Sequence, residues 1–204
     1  IYIDLFGTLT EKDFINSLFR GISQLESKAE KLLKMVAGIR GSVAVDPMTG
    51  NPSISISLQS SESRQYLDRA MQILTDYSKK RKLILVFDEF QEISKYENAG
   101  TLEKRLRSHV QHHKNICYIF SGSHRHLLMQ MFSSPDRAFY EMARHVTLEA
   151  IEKAHYVEWA KALFNKKSIV LEDDIIADIV DRCESQPMPI QHLLHELWES
   201  KKIN

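Results

Sequence analysis

Cysteine is nearly missing from these 204 residues: only Cys117 and Cys183 occur, far apart and in no metal or redox spacing. That excludes a disulfide framework and fits a reducing, cytoplasmic setting with buried or idle thiols. Glycine and proline are scarce as well, 7 and 5 residues, and no repeat or low-complexity tract is present. There is no net charge, since 27 Lys and Arg balance 27 Asp and Glu. No global field therefore recruits nucleic acid or membrane. Nor is there an apolar run near the roughly 20 residues that cross a bilayer, or the basic, apolar and small-residue series of a signal peptide. What remains is 43% apolar and 26% charged, enough for one sizeable core and a smaller second lobe. The chain also lacks an initial Met; Ile1-Tyr2-Ile3-Asp4-Leu5-Phe6 reads as a strand already in progress, as in a piece of a longer polypeptide.

The most informative stretch is Lys82-Leu83-Ile84-Leu85-Val86-Phe87-Asp88-Glu89: five apolar residues, then two adjacent acids. It reads as a parallel strand covered on both faces. In open α/β sheets, ligands bind beyond the carboxyl ends of such strands, so the acids stand where chemistry is expected. A second apolar run, Ile116-Cys117-Tyr118-Ile119-Phe120, ends in Ser121-Gly122-Ser123. If the two strands are neighbours, the Ser121 hydroxyl can orient a water or touch a phosphate beside Asp88.

Strand and helix alternate up to about residue 149. Phe14, Leu18, Phe19, Ile22, Leu25, Ala29, Leu32, Leu33 and Val36 recur at helical spacing, in one long helix or two, ended by Gly38 and Gly41. Residues 42–60 read as a surface excursion, with Ser53-Ile54-Ser55-Ile56-Ser57-Leu58 as an edge strand or hairpin arm. Leu67, Ala70, Met71, Leu74 and Tyr77 predict a helix closed by Lys79, Lys80 and Arg81, charges that suit a helix C-terminus. A helix around Leu102, Leu106 and Val110 follows, then a small strand near His145-Val146-Thr147-Leu148. Three helices without strands come after residue 150, around Val157 and Leu163, Ile176 and Ile179, and Leu193 and Leu197. The expected domains are 1–149 and 150–204. Trp159 and Trp198 fall at core-like positions of the tail, and the histidines at 109, 112, 113, 124 and 126 meet no familiar zinc spacing.

Taken together these segments resemble the prokaryotic, archaeal-type AAA+-related P-loop ATPases. Tyr2-Ile3-Asp4-Leu5 matches the second strand, the run through Asp88-Glu89-Phe90-Gln91 the Walker B strand, and Tyr118 to Ser123 the sensor strand. The segment from Met131 to Tyr140 matches the loop that follows. The resemblance implies a parallel-sheet P-loop core with a small helical lid, ATP and Mg²⁺ at the strand tips, and hydrolysis driving a conformational switch. It implies Asp88 on the metal, directly or through water, Glu89 activating the attacking water and Ser121 sensing the γ-phosphate. Arg137 and Arg144 lie where relatives place arginines that can stabilise transition-state charge. The resemblance implies a protein or DNA partner of unstated identity and no membrane, and it leaves a homo-oligomer open, since some relatives assemble as rings and others do not.

The chain departs from that pattern in one respect: Gly-x-x-x-x-Gly-Lys-Ser/Thr is absent, and none of the glycines precedes a Lys. The loop whose backbone cradles β and γ phosphates is therefore missing, and the chain alone is expected to bind ATP poorly. In the family that loop precedes the second strand, upstream of Ile1. The tail departs too, with Ser185-Gln186-Pro187-Met188-Pro189 where relatives often carry Gly-Asn-Pro or Gly-His-Pro. Two other readings follow. Asp4-Leu5-Phe6-Gly7-Thr8-Leu9-Thr10 resembles the nucleophile loop of haloacid dehalogenase-like hydrolases, with Asp4 attacking, Ser121 and Lys153 or Lys166 assisting, and Glu172-Asp173-Asp174 as acids. Alternatively, the chain is a catalytically inert P-loop-like regulatory or interaction module.

Overall fold

The computed structural model describes residues 1–25, the backbone of 41–45 and 52–56, and residues 62–201. The chain divides into two compact units, 1–144 and 145–204, whose break falls five residues before the expected 149/150 boundary. In chain order the first unit holds β1 (Tyr2–Asp4), α1 (Glu11–Ser23), β2 (Gly41–Val45), β3 (Pro52–Ile56), α2 (Ser63–Ser78), β4 (Leu83–Asp88), a 3-10 turn (Phe90–Lys95), α3 (Ala99–Val110), β5 (Ile116–Phe120) and α4 (Arg125–Ser133). The second holds α5 (Lys153–Asn165), α6 (Asp173–Arg182) and α7 (Pro187–Lys201).

β1, β4 and β5 make a parallel sheet in that spatial order, while β2 and β3 pair as an antiparallel hairpin. The hairpin accounts for the alternating Ser/Ile stretch; the helical spacing expected over residues 26–40 lies outside the described residues. The sheet register sets Asp4 opposite Asp88 and Phe87 opposite Phe120, so Asp4, Asp88 and Ser121 reach one carboxyl edge together. α1 begins with a capping box: Asp13 N–H donates to Thr10 Oγ1 at 3.2 Å and Thr10 N–H to Asp13 Oδ2 at 2.9 Å, satisfying two helix-end donors.

Side chains alternate across a strand, and one set here is buried: Ile3, Leu83, Leu85, Phe87 and Ile116 pack with Phe14, Leu18, Ile22, Leu67, Met71, Leu74, Leu102 and Leu106 from α1, α2 and α3. Each such side chain contributes about 1.5–3 kcal/mol on leaving water. Among the described residues of this unit the other face is open. Tyr2, Ile84 and Ile119 are 51%, 57% and 46% exposed, so β4 is covered on one face and not, as its apolar run predicts, on both.

Beneath the carboxyl edge the core is aromatic. Phe87 stacks on Phe14 and Phe120 at centroid distances of 5.7 and 5.8 Å, and Phe90 meets Phe120 at 4.5 Å and Phe139 edge-on at 5.4 Å. Phe132 joins Phe120 at 5.1 Å. Ring pairs of this kind add about 0.5–1.5 kcal/mol each beyond burial.

In the second unit Tyr156, Ala160 and Phe164 of α5 pack with Ile176, Ile179 and Val180 of α6 and Ile190 and Leu194 of α7. Trp198 meets Phe164 edge-on at 5.3 Å. Trp159 is 41% exposed, less of a packing residue than its spacing predicts. The strand expected near 145–148 is absent: residues 144–152 form no element, and Val146 and Leu148 are exposed. Alternation alone does not make a strand when no neighbour supplies the ladder. No helix among the described residues is long and apolar enough to cross a membrane.

Candidate functional site

The edge where β4 and β5 end gathers polar side chains from distant parts of the sequence. Asp88 closes β4, and its Oδ1 accepts the Ser121 hydroxyl at 2.7 Å and the Glu89 amide at 3.1 Å. Its other oxygen accepts the hydroxyl of Tyr2, which stands on β1. The Tyr2 and Ser121 donors, in that order of effect, hold the Asp88 carboxyl below the usual carboxylate range, because hydrogen bonds to the charged form favour it. The same bond pushes the Tyr2 phenol up to about 12. Ser121 is fixed through its backbone, its N–H donating to Phe87 O at 2.9 Å and its carbonyl accepting from Phe90 N–H at 2.9 Å.

Glu89 has φ 52°, in the left-handed region, which for a residue with a side chain costs about 1 kcal/mol. The consequence is directional. Along a strand, consecutive side chains diverge to opposite faces, but the left-handed residue ends the alternation. Both acids then take hydroxyls from the loop after β5: Asp88 from Ser121, and Glu89 Oε2 from Ser123 at 2.9 Å. Glu89 Oε2 also accepts the Gln91 amide. Burial, the largest influence on Glu89, raises its carboxyl, but the bonds from Gln91 and Ser123 outweigh it and hold the group below its ordinary value. Both carboxylates stay ionised at neutral pH.

Gln91 is fully buried, and a Cβ on Gly122 would meet its Oε1 at 1.9 Å. Glycine at 122 is therefore what lets the loop after β5 close over the amide that orients Glu89. Tyr2, Gln91 and Ser123 are site residues that the sequence reading did not single out. The first sits 86 residues from its partner, and a Gln after an acid pair carries no signal of its own. Only the Ser-Gly-Ser spacing could have pointed to Ser123.

The two arginines stand elsewhere. Arg137 grips the buried carboxylate of Glu103 on α3 through both Nε, at 3.1 Å, and Nη2, which satisfies an acid that is 1% exposed. Arg144 is exposed at the end of the first unit. The histidines are dispersed among unrelated tasks. His109 Nε2 lies 2.9 Å from Asp68, and His113 bridges Thr75 at 2.8 Å and the Tyr118 hydroxyl at 2.5 Å.

The geometry gives the hydrolase reading based on Asp4 no support. Asp4 does stand at a strand tip, before Gly7 at φ 74°, but its Oδ1 accepts the Phe6 amide at 2.8 Å and the Thr8 hydroxyl is spent on Leu5 O at 2.5 Å. The assisting residues Lys153, Lys166 and Glu172-Asp173-Asp174 belong to the helical unit, where Asp173 pairs with Lys161 at 2.7 Å.

The fold and site thus define an α/β protein with a parallel sheet and a paired-carboxylate edge. No family model matches the chain and no curated protein matches it. Among solved structures it is similar to a Walker-type ATPase of Pyrococcus abyssi, with a TM-score of 0.59 and 18% identity over 89% of this chain and 50% of that one. The shared property is the fold, which is P-loop ATPase-like. This chain spans about half the length of that protein.

Proposed function

We propose that the chain is part of a P-loop ATPase of the AAA+-related kind, with Asp88 as the Mg²⁺-holding carboxylate, Glu89 as the group that orients and activates the attacking water, and Ser121 as the contact to the γ-phosphate. The observation that carries this reading is the convergence at one sheet edge. Ser121 Oγ stands 2.7 Å from Asp88 Oδ1, and the left-handed turn at Glu89 brings the second acid to the same loop. The oxygen donors there, carboxylate and hydroxyl, suit a hard divalent cation such as Mg²⁺. Bound Mg²⁺ would neutralise phosphate charge; the chain's own work is to hold Asp88 ionised and aim Glu89.

The triphosphate fits less well, because no phosphate-cradling glycine loop occurs in these residues. Nucleotide affinity is accordingly proposed to depend on such a loop elsewhere in the complete polypeptide. The same absence favours the second reading, an inert module of the same fold. Arg137 is proposed as a structural residue, since its guanidinium is committed to Glu103.

The experiment is Mg²⁺-dependent ATP turnover and binding of a fluorescent ATP analogue by the complete polypeptide and two variants. Glu89→Gln should keep nucleotide binding and lose turnover by about 10²-fold or more, as expected when a positioned base is removed. Asp88→Ala should weaken the Mg²⁺-dependent part of binding. Unchanged turnover in Glu89→Gln would falsify the assignment, and a complete polypeptide that neither binds nor hydrolyses nucleotide is the inert module.

A further inference from the structure

Overlapping the carboxylate pair at Glu89 stands a second constellation, whose other members the ATPase reading does not use. Glu89, Glu92 and His124 each offer a ligand atom, and these atoms all lie within 4.8 Å of one another. Glu92 projects from the 3-10 turn and is 9% exposed, while His124 lies in the exposed loop that leads into α4. Two carboxylates so close repel, and the cation at hand, Lys95, engages only Glu92, at 2.6 Å. Metal–ligand bonds of about 2.0–2.2 Å separate the ligands of a tetrahedral ion by roughly 3.5 Å, so about an ångström of closure would complete the shell.

A separate observation points to the same spot. Gln91 is fully buried, its Oε1 has no hydrogen-bond partner, and its Nε2 bonds Glu89 and lies 3.4 Å from His124 Nδ1. A half-turn of the terminal amide would set Oε1 where Nε2 stands, facing a carboxylate and an imidazole nitrogen. Oxygen is repelled there unless a cation lies between. With one, the oxygen gains a partner and the cluster a fourth ligand, while the amide nitrogen gives up its bond to Glu89 and takes the buried place beside Gly122.

We propose that Glu89, Glu92 and His124, completed by Gln91 Oε1, form a binding site for a divalent transition cation of the zinc class. One imidazole among oxygen donors selects Zn²⁺ or Co²⁺ over Mg²⁺, which prefers an all-oxygen octahedron. Ser123 supplies the supporting contact, its hydroxyl donating to Glu89 Oε2 at 2.9 Å. The site shares Glu89 with the proposed water-activating position. Occupancy therefore withdraws that carboxylate and inhibits turnover, a consequence that rests on the ATPase reading, whereas the binding site does not.

The test is titration of the chelator-stripped 204-residue chain with Co²⁺, followed by its visible absorption, and with Zn²⁺ in competition. The expected result is one equivalent bound, with His124→Ala and Glu92→Gln each weakening affinity more than about tenfold, at least the cost of losing a supporting contact. His126→Ala, a nearby exposed imidazole, should leave it unchanged. His124 is in an exposed loop, so its variant reports on a folded chain. Parent-like Co²⁺ binding in both ligand variants, or no binding below millimolar cation, overturns the site. In the complete polypeptide, Zn²⁺ should suppress ATP turnover and His124→Ala should relieve the suppression. Binding with these dependences beside turnover that ignores Zn²⁺ overturns the inhibitory role and leaves the site standing.

Discussion

A methyl group added at position 122 is the most direct probe of how Glu89 is held. In Gly122→Ala the new Cβ would stand 1.9 Å from Gln91 Oε1 and 3.0 Å from its Cδ, so the amide must turn away. Gln91 is fully buried and has no solvent side to retreat to. Turning the amide breaks its bond to the Glu89 carboxylate, a charged hydrogen bond that contributes about 1.5–3 kcal/mol. Alanine offsets about 0.4–1 kcal/mol of this by restricting the unfolded chain. The net loss is about 1–2 kcal/mol, which makes exchange of core amides roughly 5–30 times faster where global opening governs it. Hydrogen exchange read on the amides of β4 and β5 isolates the first unit. Gln91→Ala removes the obstructing amide, so in that background Gly122→Ala should cost little. If the two substitutions add to within about 0.5 kcal/mol, the proposed contact does not exist and the reasoning fails.

Arg137→Ala should destabilise the first unit by about 3 kcal/mol, because it leaves a buried carboxylate uncompensated; replacing both Arg137 and Glu103 with Leu should recover most of that in urea melts, and a single-variant loss below about 1 kcal/mol would contradict the ion pair's structural role. Asp88 has a lowered folded-state carboxyl value, so it adds stability that is present above the unfolded value near 3.9 and lost as pH falls through the folded value. Tyr2→Phe removes its strongest donor, so the Asp88 ¹³C carboxyl titration should move up and the gain in stability across that acid range should shrink; an unmoved titration would sever Tyr2 from the site.

Much of the first unit was legible because burial leaves a mark on composition. The apolar runs ending at Asp88 and Ser121 became β4 and β5, and the helical spacings of the tail became α5, α6 and α7. Covering of the sheet was not legible, since Ile84 and Ile119 read the same whether a layer packs on them or not. Val146 and Leu148 misled for the related reason that alternation records a tendency and not a partner. At the site, the adjacent acids announced themselves, but what tunes them did not. Tyr2 and Ser121 reach Asp88 across 86 and 33 residues, and Glu103 reaches Arg137 across 34, separations that only the folded register brings to contact.

The rings of Phe87, Phe90 and Phe120 flank the candidate site residues in sequence as well as in space: Phe87 precedes Asp88, Phe90 follows Glu89, and Phe120 precedes Ser121. The carboxylate edge is thus the rim of the aromatic core and not a loop laid over it. Its opening should then share the free energy of the whole unit instead of the low cost of loop fraying. On heating or in denaturant, the spacing of Asp88 and Ser121 should persist until the core gives way, and then vanish in the same step.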